Sequence, residues 1–200
     1  NDKKYKVIVV TNQSGIARNY FKRKDVLMLH KFMTSQLKKI GARINKFFIC
    51  PHHIHGKILR YKIKCKCRKP EIENFKNKFD ILKRKGINIQ YVLDIGAYRG
   101  HFTNTIHSVW PTAIVKQFEA DERQKEYLQK DAFITLLGDE FKKVNFYTLD
   151  EDKITTGSSI YKENTSFYTD KTTVVIEKNM VTLDSLDEKH NFFGNWKEQG

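Results

Sequence analysis

Short β-branched apolar runs alternate with stretches of helical period along most of the chain. Lys6–Val10 is continuously apolar after its lysine, the pattern of a strand covered on both faces. A polar loop, Thr11-Asn-Gln-Ser-Gly15, follows it. Val26, Leu29, Met33, Leu37 and Ile40 then recur at helical spacing with lysines between them. Gly41 stands where a glycine ends a helix. Ile44–Cys50 reads as a second strand, and Pro51 to Pro70 as a long loop without a period. Ile72, Phe75, Phe79 and Leu82 predict a helix stopped by Gly86, and Ile89–Ile95 another buried strand. Phe102, Ile106 and Val109 predict a helix that Pro111 ends. Ala113–Phe118 reads as a strand, Glu122–Lys130 as a helix, and Phe133–Leu137, Val144–Leu149 and Thr173–Glu177 as further strands. This alternation predicts an α/β fold with a mostly parallel, Rossmann-like sheet.

No apolar run is long enough to span a bilayer. No signal-peptide pattern follows Asn1-Asp2-Lys3-Lys4, so a cytoplasmic location is expected. The chain reads as an internal fragment of something longer. Its charge divides it. Residues 1–72 hold 19 Lys+Arg and 3 Asp+Glu, a net +16, whereas residues 73–200 hold 18 and 20, a net −2. Such a shift marks two units of different role, with a boundary near residue 72. One reading of the basic segment is a solvated Lys-rich face. The sharper reading is a segment built for phosphorylated substrates.

All three cysteines fall in one window, as Cys50-Pro-His52 and Cys65-Lys-Cys67. Thiolate and imidazole are the ligands zinc prefers, and four of them make a closed tetrahedral site. A closed site has no position for a catalytic water, so the zinc is expected to be structural, clamping a loop that lacks secondary structure. An odd cysteine count argues against disulfides. His53 and His55 compete with His52 for the fourth position.

Val9-Val-Thr-Asn-Gln-Ser-Gly-Ile-Ala-Arg18, Cys50-Pro-His-His53 and Cys65-Lys-Cys-Arg-Lys-Pro70 resemble, in this order, the heptose-bisphosphate and histidinol-phosphate phosphatases. These are a zinc-containing branch of the haloacid dehalogenase superfamily. The resemblance covers about residues 5–72 and implies a partial phosphatase segment with a zinc loop. It implies that Thr11 and Asn12 bind the phosphoryl group or substrate phosphate, that Lys69 neutralises phosphate charge, and that Arg68 helps hold a sugar phosphate. A hydroxyl, an amide and cations are suited to stabilising a phosphoryl transition state. The nucleophilic and acid/base aspartates of that family lie upstream of these motifs and its magnesium-binding aspartates downstream. Magnesium is therefore expected only of a complete phosphatase domain, and no phosphate hydrolysis is expected of this segment.

In the second unit, Val92-Leu-Asp94-Ile-Gly96-Ala-Tyr-Arg-Gly100 follows a strand and opens a helix. Glycines at the carboxyl end of a parallel strand let a ligand approach the backbone. Glu119 ends the next strand, where an acid holds ribose hydroxyls. Gly-x-Gly-x-x-Gly is absent, which disfavours NAD. From residue 73 to 200 the chain resembles the FkbM family of methyltransferases, truncated at its C-terminal side. The resemblance rests on Tyr91-Val-Leu-Asp-Ile-Gly-Ala97, Phe118-Glu119, Leu137-Gly-Asp139, Gly157-Ser-Ser-Ile-Tyr-Lys-Glu-Asn164 and Val181-Thr-Leu-Asp-Ser-Leu186. Tyr98 departs from the family's common Asn. The resemblance implies S-adenosyl-L-methionine as cofactor and a sugar or glycan hydroxyl as acceptor. It assigns Asp94, Gly96 and Gly100 to the methionine end, Glu119 to the ribose, Asp139 to the adenine side and the Ser158–Asn164 loop to the acceptor. Asp184 is a candidate base by residue type, in competition with a turn or cap role at Thr182-Leu-Asp-Ser185.

The functional expectation is thus a sugar-modifying methyltransferase fused to a sugar-phosphate phosphatase segment. Two alternatives draw on the same residues: an inactive phosphatase-like platform, and a basic zinc module that grips nucleic acid. The second is disfavoured, because the cations are spread over helix, loop and strand without the compact spacing of zinc-finger readers.

Overall fold

The computed structural model describes residues 7–68, 73–150, 158–162 and 168–191, the side chains of 73–75 excepted. The chain divides into two compact units, Asn1–Phe79 and Asp80–Gly200.

The first unit is a β-α-β crossover followed by a long loop. Strand β1 (Ile8–Asn12) pairs in parallel with β2 (Lys46–Cys50), and α1 (Arg23–Lys39) connects them. At the start of α1 the Asp25 carboxylate accepts the Lys22 N–H at 2.7 Å. The helix ends as its sequence requires: Gly41 adopts φ +73° and the Ala42 N–H donates to Leu37 O at 2.9 Å, satisfying an orphan carbonyl. The apolar stripe of α1 is only partly covered. Val26 and His30 are buried, while Leu29, Met33 and Ile40 are exposed. A two-stranded sheet is narrower than the face that the periodicity predicts. His30 takes a core position by stacking on Phe47 at 3.8 Å between centroids.

Helix α2 (Glu73–Arg84) contains the boundary between the units. The second unit continues with β3 (Tyr91–Ile95), α3 (His101–Val109), β4 (Ile114–Glu119), β5 (Phe133–Ile134), β6 (Leu136–Gly138), β7 (Lys142–Leu149), β8 (Thr173–Thr182) and α4 (Leu183–His190). Strands β3, β4 and β5 form one parallel sheet in that order. In the other sheet β8 lies between β6, which is parallel to it, and β7, which is antiparallel. The core gathers Phe102, Ile106, Val109, Trp110, Phe118 and Phe146.

Two expectations change. Glu122–Tyr127 is a 3-10 stretch rather than an α-helix. The Asp121 carboxylate caps it by accepting the Arg123 N–H at 3.1 Å, and the chain is already extended again at Leu128. The strand expected over Phe133–Leu137 breaks at Thr135, whose N–H donates to Glu119 O at 2.8 Å. Its halves join different sheets. Helix α4 begins where a turn or helix cap is expected at Thr182-Leu-Asp-Ser185: Thr182 is its cap, its hydroxyl accepting the Ser185 N–H at 3.2 Å, and Asp184 lies in its first turn. Among the described residues no helix is long and apolar enough to cross a membrane.

Candidate metal centre and strand-end cleft

The parallel register sets Thr11 beside Ile49 and Asn12 beside Cys50, so the carboxyl ends of β1 and β2 share one edge. The Gln13 N–H donates to Cys50 O at 2.8 Å and ties the following loop to that edge. The Gln13 side-chain amide donates to the Thr11 hydroxyl at 3.3 Å. The N–H groups of Lys57 and Ile58 both donate to Ala17 O, at 2.7 and 3.0 Å, stitching the first loop to the second. Gly56 permits this contact. A Cβ there would lie 2.9 Å from Ala17 Cβ and 3.0 Å from Ala17 O.

At this edge the loop folds back so that Cys50, His52, Cys65 and Cys67 converge. Their ligand atoms all lie within 4.8 Å of one another. Cys50 Sγ is 3.5 Å from Cys65 Sγ and 3.4 Å from Cys67 Sγ, and His52 Nδ1 is 3.1 Å from Cys67 Sγ and 3.9 Å from Cys50 Sγ. A tetrahedral zinc with Zn–S of about 2.3 Å and Zn–N of about 2.05 Å requires ligand–ligand edges of roughly 3.5–3.8 Å. The cluster fits such an ion with small adjustments, and the three cysteines are free thiols. Burial pushes the Cys50 and Cys67 thiols up. A dication bound between them reverses that preference, because a coordinating thiol is deprotonated.

The competing histidines are engaged elsewhere. His53 Nε2 lies 3.0 Å from Arg18 Nη2, and His53 Nδ1 accepts the His55 N–H at 3.1 Å. Burial, then Arg18, Arg68 and His55, lower the His53 pKa to about 4. Arg18 therefore sits against an imidazole whose charged form Arg68 also disfavours, and Arg68 carries a buried Nη1. Sequence reasoning singled out Arg68 but gave Arg18 no role, although it closes the Gly15-Ile-Ala-Arg18 motif. Lys69 lies outside the described residues. Asp25 is the only Asp or Glu whose side chain is described in the first unit, and it caps α1. No pair of carboxylates suited to magnesium is therefore among that unit's described residues.

In the second unit the turn after β3 is strongly bent. Gly96, Tyr98 and Gly100 have φ of +68°, +52° and +70°. A Cβ on Gly96 would meet nothing within 4 Å, so the space over it is open. Glu119 is buried and holds the turn: its Oε2 accepts the Tyr98 N–H at 2.7 Å and its Oε1 the Asp121 N–H at 2.8 Å. Burial raises the Glu119 pKa against the pull of these two N–H groups. Asp94 is fully buried and accepts from the Thr103 hydroxyl at 2.9 Å. That hydroxyl accepts from the Gln117 amide at 2.8 Å, and Gln117 Oε1 accepts the Gln129 N–H. The described contact of Asp94 thus anchors α3 to β3. Asp139 is exposed after β6.

Beside Glu119, Arg123 grips Asp121 with two hydrogen bonds of 2.9 and 2.6 Å. It also donates to Leu149 O and to the Thr148 hydroxyl, which lies 2.8 Å from the Ser158 hydroxyl. Burial pushes the Asp121 carboxyl up, but Arg123 outweighs it and holds the group below its ordinary range. Glu163 and Asn164, part of the loop expected to face an acceptor, lie outside the described residues.

These features define a class: an α/β protein with a loop that four Cys/His ligands can clamp at the carboxyl edge of a parallel strand pair. The comparisons narrow it. Over 66 residues, 33% of this chain, the sequence is 46% identical to D-glycero-beta-D-manno-heptose-1,7-bisphosphate 7-phosphatase of Rhodopseudomonas palustris. It is 43% identical over 67 residues to the enzyme of that name from Haemophilus influenzae. Over 80 residues it is 38% identical to D-glycero-alpha-D-manno-heptose-1,7-bisphosphate 7-phosphatase of Photorhabdus laumondii. The matches cover 37%, 36% and 44% of those proteins, so the chain spans less than half the length of these relatives. No family model matches the chain. Among solved structures, a D,D-heptose 1,7-bisphosphate phosphatase of B. bronchiseptica, complexed with magnesium and phosphate, aligns at a TM-score of 0.44 and 21% identity. That alignment covers 64% of this chain and 66% of the other. Part of the chain is thus homologous to heptose-bisphosphate phosphatases of the haloacid dehalogenase type.

Proposed function

We propose that residues 1–72 are the sugar-phosphate-recognising segment of a phosphatase of the heptose-bisphosphate kind, clamped by one structural zinc. The observation that carries this reading is the four-ligand cluster seated beside Asn12 through the Asn12–Cys50 register. Cys50, His52, Cys65 and Cys67 hold the zinc, which fixes the loop that presents Arg68. Thr11 and Asn12 bind the phosphoryl group at the strand end, and Arg68 and Lys69 balance its charge. Phosphoryl transfer needs a nucleophilic carboxylate and a magnesium site that the described residues of this segment do not offer. Zinc analysis, with calorimetric titration of a heptose bisphosphate, tests the reading. The expected result is about one zinc per chain and weak binding lost in Arg68→Ala; a metal-free protein of unchanged thermal stability would sink it.

For residues 73–200 we propose binding of S-adenosylmethionine in a methyltransferase acting on a sugar hydroxyl. The observation favouring it is the buried Glu119 carboxylate at the end of β4, beside a turn with open space over Gly96. Bound there, the cofactor supplies an activated methyl group. Glu119 has lone pairs left to accept the two hydroxyls of a ribose, Gly96 and Gly100 let the backbone approach, and Asp139 stands toward the adenine. Calorimetry with S-adenosylhomocysteine decides it: a folded chain that gives no heat refutes this half alone.

A further inference from the structure

Helix α1 carries two large apolar side chains that its packing on the sheet does not explain. Its buried side is marked by Val26 and by His30, which stacks on Phe47 of β2. At about 100° of rotation per residue, Met28 lies roughly opposite the midpoint of Val26 and His30, and Phe32 follows one turn later on the same side. Met28 is 66% exposed and Phe32 58%. Leu29 adjoins Phe32 across one turn and is exposed as well. Further strands would lengthen the sheet sideways and cover the flanks of α1. They would leave the side turned away from the sheet in water, where a helix of this architecture is ordinarily polar.

That side is bordered by positive charge. Lys24, Lys31 and Lys38 recur every seven residues, which sets them in a line along the helix beside Met28 and Phe32. None of the three enters a described ion pair. The one acidic residue of α1, Asp25, accepts the Lys22 N–H at the helix start. An apolar strip edged by lysines selects its partner. Nucleic acid would engage the lysines and leave Met28 and Phe32 in water. A second copy would bury the apolar strip but bring no acidic counterpart to the lysines. A bilayer with anionic headgroups satisfies both, because apolar side chains enter the acyl boundary while long lysine stems carry their ammonium groups to the lipid phosphates.

We infer that the outward side of α1 is a docking surface for an anionic lipid bilayer, with Met28, Leu29 and Phe32 entering the headgroup boundary and Lys24, Lys31 and Lys38 held at lipid phosphates. The helix lies along the membrane surface and does not cross it.

Co-sedimentation of the full 200-residue chain with vesicles tests this. Vesicles of phosphatidylcholine alone are compared with an equimolar mixture of phosphatidylcholine and phosphatidylglycerol. The chain is expected to bind the mixture about tenfold or more tightly than phosphatidylcholine, and to be released by salt. Met28→Ser combined with Phe32→Ser keeps every charge and should weaken binding to the mixture about tenfold or more. Lys31→Gln combined with Lys38→Gln should weaken it and flatten its salt dependence. All four side chains are exposed, and thermal unfolding of each variant checks that the fold is kept. If the serine pair leaves binding to the mixture unchanged, the attraction belongs to the basic charge alone and the proposal is overturned. Equal binding to both kinds of vesicle, or to neither, overturns it as well. A dimer in sedimentation velocity that the serine pair splits makes this side an interface between copies, and the lipid assignment falls.

Discussion

Three thiols and one imidazole converge closely enough to share one metal ion. Cys65→Ser is expected to remove most of the bound zinc and lower the melting temperature, since one ligand of a closed site is lost. Elemental analysis and calorimetric scanning check both. His53→Ala should leave the zinc content unchanged, because its ring faces Arg18 and the His55 backbone. Glu119→Ala should weaken S-adenosylhomocysteine roughly tenfold or more, the scale of a charge-assisted hydrogen bond. The Glu119 pKa also gives a pH dependence. A carboxyl whose folded pKa is raised keeps its proton in the native state over a range where the unfolded chain has lost it. Stability conferred by this group therefore falls as pH rises from the ordinary glutamate range through the raised folded value. Ligand affinity runs the other way, since only the carboxylate accepts two hydroxyls. Titrations across this range on wild type and Glu119→Gln should show the rise in affinity in wild type alone.

The strand-to-helix turn Gly96–Gly100 shows how an element meets its ligand and its core at once. Gly96 faces open space, so a side chain there obstructs a ligand more than the fold, apart from the cost of φ +68°. Gly100 faces inward. A Cβ would lie 3.0 Å from the Gln117 amide nitrogen, in the Gln117–Thr103–Asp94 chain. Gly100→Ala is expected to cost about 1 kcal/mol or more of stability, from the left-handed backbone and this contact, as chemical denaturation would measure. Gly96→Ala should cost less, because only the backbone strain applies. The long apolar stripe of α1 carries the opposite lesson. Leu29, Met33 and Ile40 fit the helical period yet are exposed, because two strands present too little surface to cover them.

At the scale of the chain, two compact units meet within α2, and their chemistries use different residues. Stripping the metal with a chelator should lower the first unit's thermal stability and leave S-adenosylhomocysteine affinity unchanged. Phosphate release from a heptose bisphosphate should stay at background even with magnesium added. A turnover abolished by Thr11→Ala would show that carboxylates outside the described residues complete the site.

The sequence by itself determined the local devices. It marked the ends of α1 and α2 at Gly41 and Gly86, the apolar strands β1 to β4, and the four metal-type residues, because backbone freedom, burial and ligand chemistry belong to residue types and short spacings. Tertiary structure decided what depends on distant partners. It favoured His52 over its two neighbours, because only His52 Nδ1 reaches the thiols while His53 is held by Arg18. It split the strand at Thr135, because Glu119 O takes that N–H. It turned Asp94 inward to Thr103, and it set Arg18 against the His53 imidazole. A hydrogen bond across many residues leaves no period in the sequence, so these outcomes became visible only when the chain closed on itself.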